Sequence, residues 1–191
     1  MESTMNLASI ANPVPCRNGL VKICQIQGAS GGIISWDSSE LTSTPFVPSC
    51  YDPKEKASKT SLELTCTNEY LEFFRSLDQW CVEYLTIHSQ RLLGGQRSYD
   101  WVHNMYRPCV KQVGSFNPLL RTKIVNEGLS VTRYWTLDKR SRAEPEMWTA
   151  CTLRARVRIA YLYISEEGCG IVLECSDIQV CSEPKPPVCP F

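Results

Sequence analysis

Between Thr152 and Ile164 the chain reads TLRARVRIAYLYI, placing Leu153, Ala155, Val157, Ile159, Tyr161 and Tyr163 at alternate positions and Arg154, Arg156 and Arg158 between them. Side chains alternate across a strand, so this period predicts a β-strand with an apolar face and an arginine row opposite. The same period, carried by β-branched and aromatic residues, recurs in KTSLELTC (59–66), NPLLRTKIV (117–125), LSVTRYWTL (129–137) and CGIVLECSDIQV (169–180). All four are predicted strands, with a further one at GLVKICQIQ (19–27). The run Glu166-Glu167-Gly168-Cys169-Gly170 has the glycine content of a hairpin connection, so the last two strands are expected to pair antiparallel.

In one long segment the period changes. Tyr70, Phe74, Leu77, Cys81, Tyr84 or Leu85, His88 and Leu92 recur at steps of three and four, the mark of a helix packed on a core, here from about Glu69 to Leu93. Thr67 or Asn68 supplies its N-cap and the Gly94-Gly95 pair its stop. A second, short helix begins after Ser98 in YDWVHNMYR and must end by Pro108. Upstream, Pro45, Pro48 and Pro53 exclude regular structure from much of residues 33–58, which read as an extended arm or long loop. The elements therefore describe an α+β chain that is mainly β. Residues 1–58 form an N-terminal strand and Pro-rich arm of the same domain, 59–181 its main body, and 182–191 a Pro-rich tail.

Composition narrows the class. The 191 residues are 43% hydrophobic and 21% charged, values of an ordinary globular protein, and no apolar run approaches the length of a spanning helix. The first residues lack a basic cluster followed by an apolar core, so no export leader is expected and an intracellular place, cytoplasmic or nuclear, is the default. Eleven cysteines form an odd set with no C-x-x-C pair, which favours reduced thiols over a disulfide framework or a zinc site. Cys66, Cys81, Cys151 and Cys175 sit among apolar neighbours and read as small core residues. His88 and His103 fall on the predicted helices.

Net charge is zero, but its distribution is uneven. Residues 1–96 carry 7 basic and 10 acidic side chains, 97–158 carry 12 and 5, and 159–191 carry 1 and 5. A basic middle segment can attract a polyanion even in a neutral protein, because local charge sets the field that steers association.

Signatures of catalysis are missing: there is no phosphate-binding glycine loop, no H-E-x-x-H, no G-x-S-x-G. No enzyme activity, cofactor or metal is expected. What the basic segment offers instead is cations interleaved with aromatic rings. Arg121 and Lys123 alternate in one predicted strand, Arg133 and Trp135 in another; Lys139, Arg140 and Arg142 follow in a loop near Trp148, and the arginine row completes the set. Phosphates need cations and exposed bases need flat apolar partners, so this is the minimal equipment for holding a single strand. The same residues also suit a solvated outer face, with Trp135, Tyr161 and Tyr163 in the core.

The succession Thr44-Pro45-Phe46, KTSLEL, FFRSLDQWCVEYL, SYDWVHNMYRPCVKQ, FNPLLRTKI and GIVLECSDIQV, spread over about residues 44–180, resembles the OB-fold single-stranded-DNA-binding proteins of large double-stranded DNA viruses and phages. The resemblance implies a Greek-key antiparallel barrel that coats unwound DNA in replication or recombination. It places Lys111, Arg121 and Lys123 on the backbone track. The chain departs from that family in its Pro- and Cys-rich tail, which has little acid beyond Glu183, and in its even net charge. Single-stranded nucleic acid, DNA in preference to RNA, is the expected partner, with the arm and tail as candidates for contact with a second copy or another protein and no membrane involved. A structural or assembly protein with an OB-like fold, such as a minor virion component or scaffold, is the competing reading, because extended arms commonly reach onto neighbouring subunits.

Overall fold

A computed structural model of the protein describes residues 7–28, 32–37, 41–49, 58–112, 114, 115 and 117–184. In chain order the strands are β1 (Leu7–Ile10), β2 (Val14–Cys16), β3 (Val21–Cys24), β4 (Ile26–Gly28), β5 (Ser35–Asp37), β6 (Thr42–Ser43) and β7 (Lys59–Thr65). Three helices follow: α1 (Asn68–Ile87), α2 (Ser89–Leu93) and α3 (Tyr99–Met105). The chain then continues through β8 (Tyr106–Arg107), β9 (Val110–Lys111), β10 (Leu119–Val125), β11 (Arg133–Trp135), β12 (Ser141–Arg142), β13 (Thr152–Ser165) and β14 (Gly168–Ser182).

β13 and β14 form a long antiparallel ribbon through the turn at Glu166-Glu167. Shorter strands line both its edges. Along β14 lie β8, β10 and β11 in succession, all parallel to it; along β13 lie β3, β5 and β6, all antiparallel. β7 pairs with β10 over its whole length and extends the sheet sideways.

The mainly β, α+β architecture read from the sequence is the one found. Two features refine it. The sheet does not close into a barrel, and three of its pairings are parallel rather than antiparallel. Helices intervene between β7 and β8, and long connections between the later strands, so the chain can re-enter the sheet in the same direction.

Local signals explain most element ends. The Thr67 hydroxyl accepts from the Tyr70 N–H and caps α1; Ser98 accepts from Trp101 and caps α3. The expected single helix breaks at His88, whose non-helical backbone separates α1 from α2, and Gly94 ends α2 in the left-handed region. α3 stops at Met105, and the chain enters β8 before Pro108 is reached. The strand expected over 19–27 is interrupted at Gln25, so β3 joins the main sheet while β4 pairs with β1. Within the Pro-rich arm, β5 and β6 dock as edge strands on β13. The tail beyond Pro184 lies outside the described residues.

The apolar side of α1, with Tyr70, Phe74, Leu77, Cys81 and Leu85, forms one cluster with Leu62, Leu64, Leu120, Ile124, Leu153, Val157, Leu173 and Ile178 of the sheet. Tyr70 donates its hydroxyl to the Ala155 carbonyl at 2.9 Å, and Phe73 stacks on Trp36 of β5. One face of the sheet is thus covered by helices and the other faces outward. Cys81, Cys151 and Cys175 are buried and Cys66 is half-buried; all described cysteines are free thiols. Among the described residues no helix is long and apolar enough to cross a membrane.

Candidate nucleic-acid interface

Directly opposed residues on neighbouring strands share a face of the sheet. Arg154 is opposite Gln179, Arg156 opposite Asp177 and Arg158 opposite Glu174. β11 sets Arg133 opposite the same Asp177 and Trp135 opposite the same Gln179. β10 sets Lys123 opposite Glu174, with Glu63 of β7 opposite Arg121. The alternate residues Leu153, Ala155, Val157, Leu120, Thr122 and Ile124 are buried beneath the helices, so all these polar side chains share the outward face.

Two aromatic rings join them against expectation. Ile159 pairs with Leu173 and Tyr161 with Val172, leaving Ala160 unpaired as a bulge. One extra residue reverses the alternation. Leu162 therefore turns into the core, fully buried, and Tyr161 and Tyr163, expected on the apolar side with Leu153 and Val157, stand half-buried on the charged face.

The arginine row is not uniform. Arg156 makes a fork on Asp37, with Nε and Nη2 donating at 2.5 and 2.8 Å, and its Nη1 lies 3.9 Å from Asp177. Arg158 donates to Glu174 at 2.6 Å, and Lys59 reaches the other oxygen of that carboxylate at 2.6 Å. Burial opposes ionisation of Glu174, but the hydrogen bonds and charges of Lys59 and Arg158 outweigh it and hold the carboxyl below its ordinary value. Asp177 is held low in the same way by Arg133 at 2.8 Å and the Trp135 indole N–H at 3.0 Å. Arg154, by contrast, is exposed and has no carboxylate partner among the described residues.

Two concavities open on this face. The first, about 440 Å³, is lined by Trp135, Arg133, Lys139, Arg154, Arg156 and Gln179 together with the carboxylates Asp37 and Asp177. Lys139 enters it from the tight β11–β12 turn, where its N–H donates to the Thr136 carbonyl and its own backbone is left-handed, with φ 62°. The second, about 800 Å³, is lined by Arg17, Arg107, Arg121 and Lys123 beside Tyr161 and Tyr163, and also by Glu63, Glu166 and Glu167. Burial first, then the neighbouring charge of Lys59, pulls the Lys123 amine below its ordinary value. A phosphate arriving there would counter the second effect.

Five of the cations and rings singled out in the sequence, Arg133, Trp135, Lys139, Arg154 and Arg156, meet in the first cavity, and Arg121 and Lys123 in the second. Arg158 lies between them, paired with Glu174. Three lie elsewhere: Lys111 is exposed on β9 and lines neither cavity, Arg140 pairs with Asp138 at 2.7 Å, and Arg142 pairs with Glu183 at 2.7 Å. Sequence reasoning missed Arg17, Lys59, Arg107, Tyr161, Tyr163 and the carboxylate Asp37. Lys59 and Arg107 carried a local signal, lying in the KTSLEL and SYDWVHNMYRPCVKQ pieces of the family-like pattern. Among the described residues no cluster of His, Cys, Asp and Glu is arranged to hold a metal ion.

The chain matches no protein-family model and no curated protein sequence. Its fold is shared with gp2.5, a single-stranded DNA binding protein encoded by bacteriophage T7: the TM-score is 0.59 at 10% sequence identity, over 83% of this chain and 92% of that one. The single-stranded DNA-binding protein of bacteriophage Enc34, solved in complex with ssDNA, is similar with a TM-score of 0.49 at 12% identity, over 93% of this chain and 98% of that one.

Proposed function

We propose that this protein is a non-enzymatic single-stranded-DNA-binding protein that coats unwound DNA during replication or recombination of a phage or related DNA virus, inside the host cell. The observation that carries the reading is one sheet face on which cations without carboxylate partners, Arg154 and Lys139 in one cavity and Arg121 and Lys123 in the other, stand beside the rings of Trp135, Tyr161 and Tyr163. Phosphates would take the cations and bases the rings, an arrangement tolerant of sequence because every base has a π-face. The fold shared with the phage T7 protein supports the same reading.

The binding residues proposed are Arg121, Lys123, Arg133, Trp135, Lys139, Arg154 and Arg156, with Arg107, Tyr161 and Tyr163 added from the structure. Lys111, Arg140, Arg142 and Arg158 are given a peripheral or supporting part. Fluorescence anisotropy with a labelled single-stranded oligonucleotide at two salt concentrations tests this. Binding that weakens steeply with salt is expected, with duplex DNA of the same length bound less well. No binding at low salt would leave the assembly-protein reading in front.

A further inference from the structure

The two cavities do not merge into one even groove. Between Arg156, the last β13 residue of the first, and Tyr161, the first of the second, the face is occupied by cations already engaged by carboxylates. Glu174, only 3% exposed, holds Lys59 and Arg158, each at 2.6 Å. Arg156 is engaged by Asp37 and lies near Asp177. A phosphate crossing this saddle would have to displace a carboxylate from its partners, whereas on either side Arg154, Lys139 and Arg121 are free of carboxylate partners among the described residues.

The rings are set the same way. Trp135 is fixed by its indole N–H bond to Asp177, with the Arg133 guanidinium 5.8 Å from the ring centre. Tyr163 lies against Gly170, where a Cβ would come within 3.1 Å of its ring, and Lys59 Nζ lies 5.6 Å from the centre of the Tyr161 ring. Trp135 shares the level of Arg154, because both oppose Gln179. Tyr161 is seven positions further along β13, one of them the bulge, a separation of about 20 Å at the rise of a β-strand.

We infer that the protein holds single-stranded DNA at two separate stations, one at Trp135, Arg154 and Lys139 and one at Tyr161, Tyr163 and Arg121, with the nucleotides between them crossing the Glu174 saddle largely unheld. This rests on the single-stranded-DNA reading above. Bridging about 20 Å takes about six nucleotides at the stacked spacing of about 3.4 Å, and fewer if the strand is drawn out. Once both stations are spanned, the second contact becomes intramolecular and affinity rises beyond the sum of the parts.

The test is an anisotropy titration of the full chain with labelled oligothymidylates of roughly three to twelve nucleotides, for wild type and for R154A, R121A and W135A. Wild-type affinity should stay nearly level for the shortest oligomers, then step up by about tenfold or more within one or two added nucleotides. Each variant should lose most of that step while weakening the shortest oligomer by no more than about twofold, since one station remains intact. R154A and R121A alter exposed side chains and keep the test valid if W135A fails to fold. An affinity that climbs by an even factor with every nucleotide, or variants that weaken short and long oligomers alike, would overturn the two-station arrangement while leaving DNA binding in place. A wild-type protein that binds no oligonucleotide at any length would remove the underlying reading itself.

Discussion

Glu174 and Arg158 face each other across the β13–β14 register and meet at 2.6 Å, with the carboxylate almost wholly buried and the guanidinium side chain 19% exposed. This pair ties one arginine of the row to a buried carboxylate of the neighbouring strand. The three arginines of TLRARVRIAYLYI consequently stand in three different settings: Arg154 exposed, Arg156 paired with Asp37 and Arg158 with Glu174.

Replacing Glu174 by Gln should destabilise the protein at neutral pH by roughly 1–3 kcal/mol. That is less than the 3–5 kcal/mol or so of a wholly buried pair, because Lys59 and Arg158 can reach water. The folded-state carboxyl lies below its ordinary value of 4.5. Its stabilising effect is therefore complete above that value and is lost as pH falls through the depressed one. Thermal melts from neutral pH down to the acid range should show wild type losing stability below pH 4.5 and E174Q following a flatter curve there. Parallel curves would show that titration of Glu174 does not contribute to the acid loss of stability.

The arginines should separate in a salt titration. R154A is expected to lower the slope of log affinity against log salt by about 0.7, the loss of one phosphate contact on a single strand, with no change in melting temperature. R158A should instead lower the melting temperature, since it strands one side of a buried carboxylate, and move the salt slope little. Equal effects from both would mean that the row acts as a unit.

Asp37 competes for Arg156 from an exposed edge strand, its side chain 59% exposed. An ion pair this open contributes about 0–1 kcal/mol, so D37N should leave stability almost unchanged. Freed of its carboxylate, Arg156 can turn to a phosphate, and single-strand affinity should rise a few-fold, with the salt slope steeper by about 0.7. Unchanged binding in anisotropy would place Arg156 off the path of the DNA.

Gly170 lies where β14 runs beside β8. A Cβ there would stand 2.8 Å from the Arg107 carbonyl and 3.1 Å from the Tyr163 ring. G170A should cost roughly 1–3 kcal/mol through this overpacking. It should also weaken single-strand binding, because both Arg107 and Tyr163 line the second cavity. Chemical denaturation and anisotropy on the same preparation check the two effects; a variant of wild-type stability would show that β8 yields easily.

Burial pushes the thiols of Cys24, Cys151 and Cys169 up to about 11 and that of Cys175 up to about 12. Thiolate is the reactive form, so these residues should resist iodoacetamide at mildly alkaline pH while the chain is folded and react together once it unfolds. Peptide mass spectrometry after timed alkylation reads this directly. Rapid labelling of Cys175 in the native protein would contradict its place in the core.

Much was legible from local pattern alone. The strands β7, β10, β13 and β14, the helical segment from its Thr67 cap to its Gly94 stop, though not its break at His88, the hairpin at Glu166-Glu167 and the buried cysteines all follow from periodicity and turn chemistry, which act between residues close in the chain. The gathering of Arg133, Trp135, Lys139 and Arg154 was foreseen as a set of residue types, though not as one cavity. Tertiary structure alone decided which cations remain free. Arg156 is neutralised from β5, more than a hundred positions upstream, and Arg158 shares its carboxylate with Lys59 of β7, pairings that depend on register between distant strands. The bulge at Ala160 likewise has no signal in the unbroken alternation IAYLYI. It arises because β13 must stay in step with β14, and by inserting one unpaired residue it carries Tyr161 and Tyr163 from the core side to the charged face.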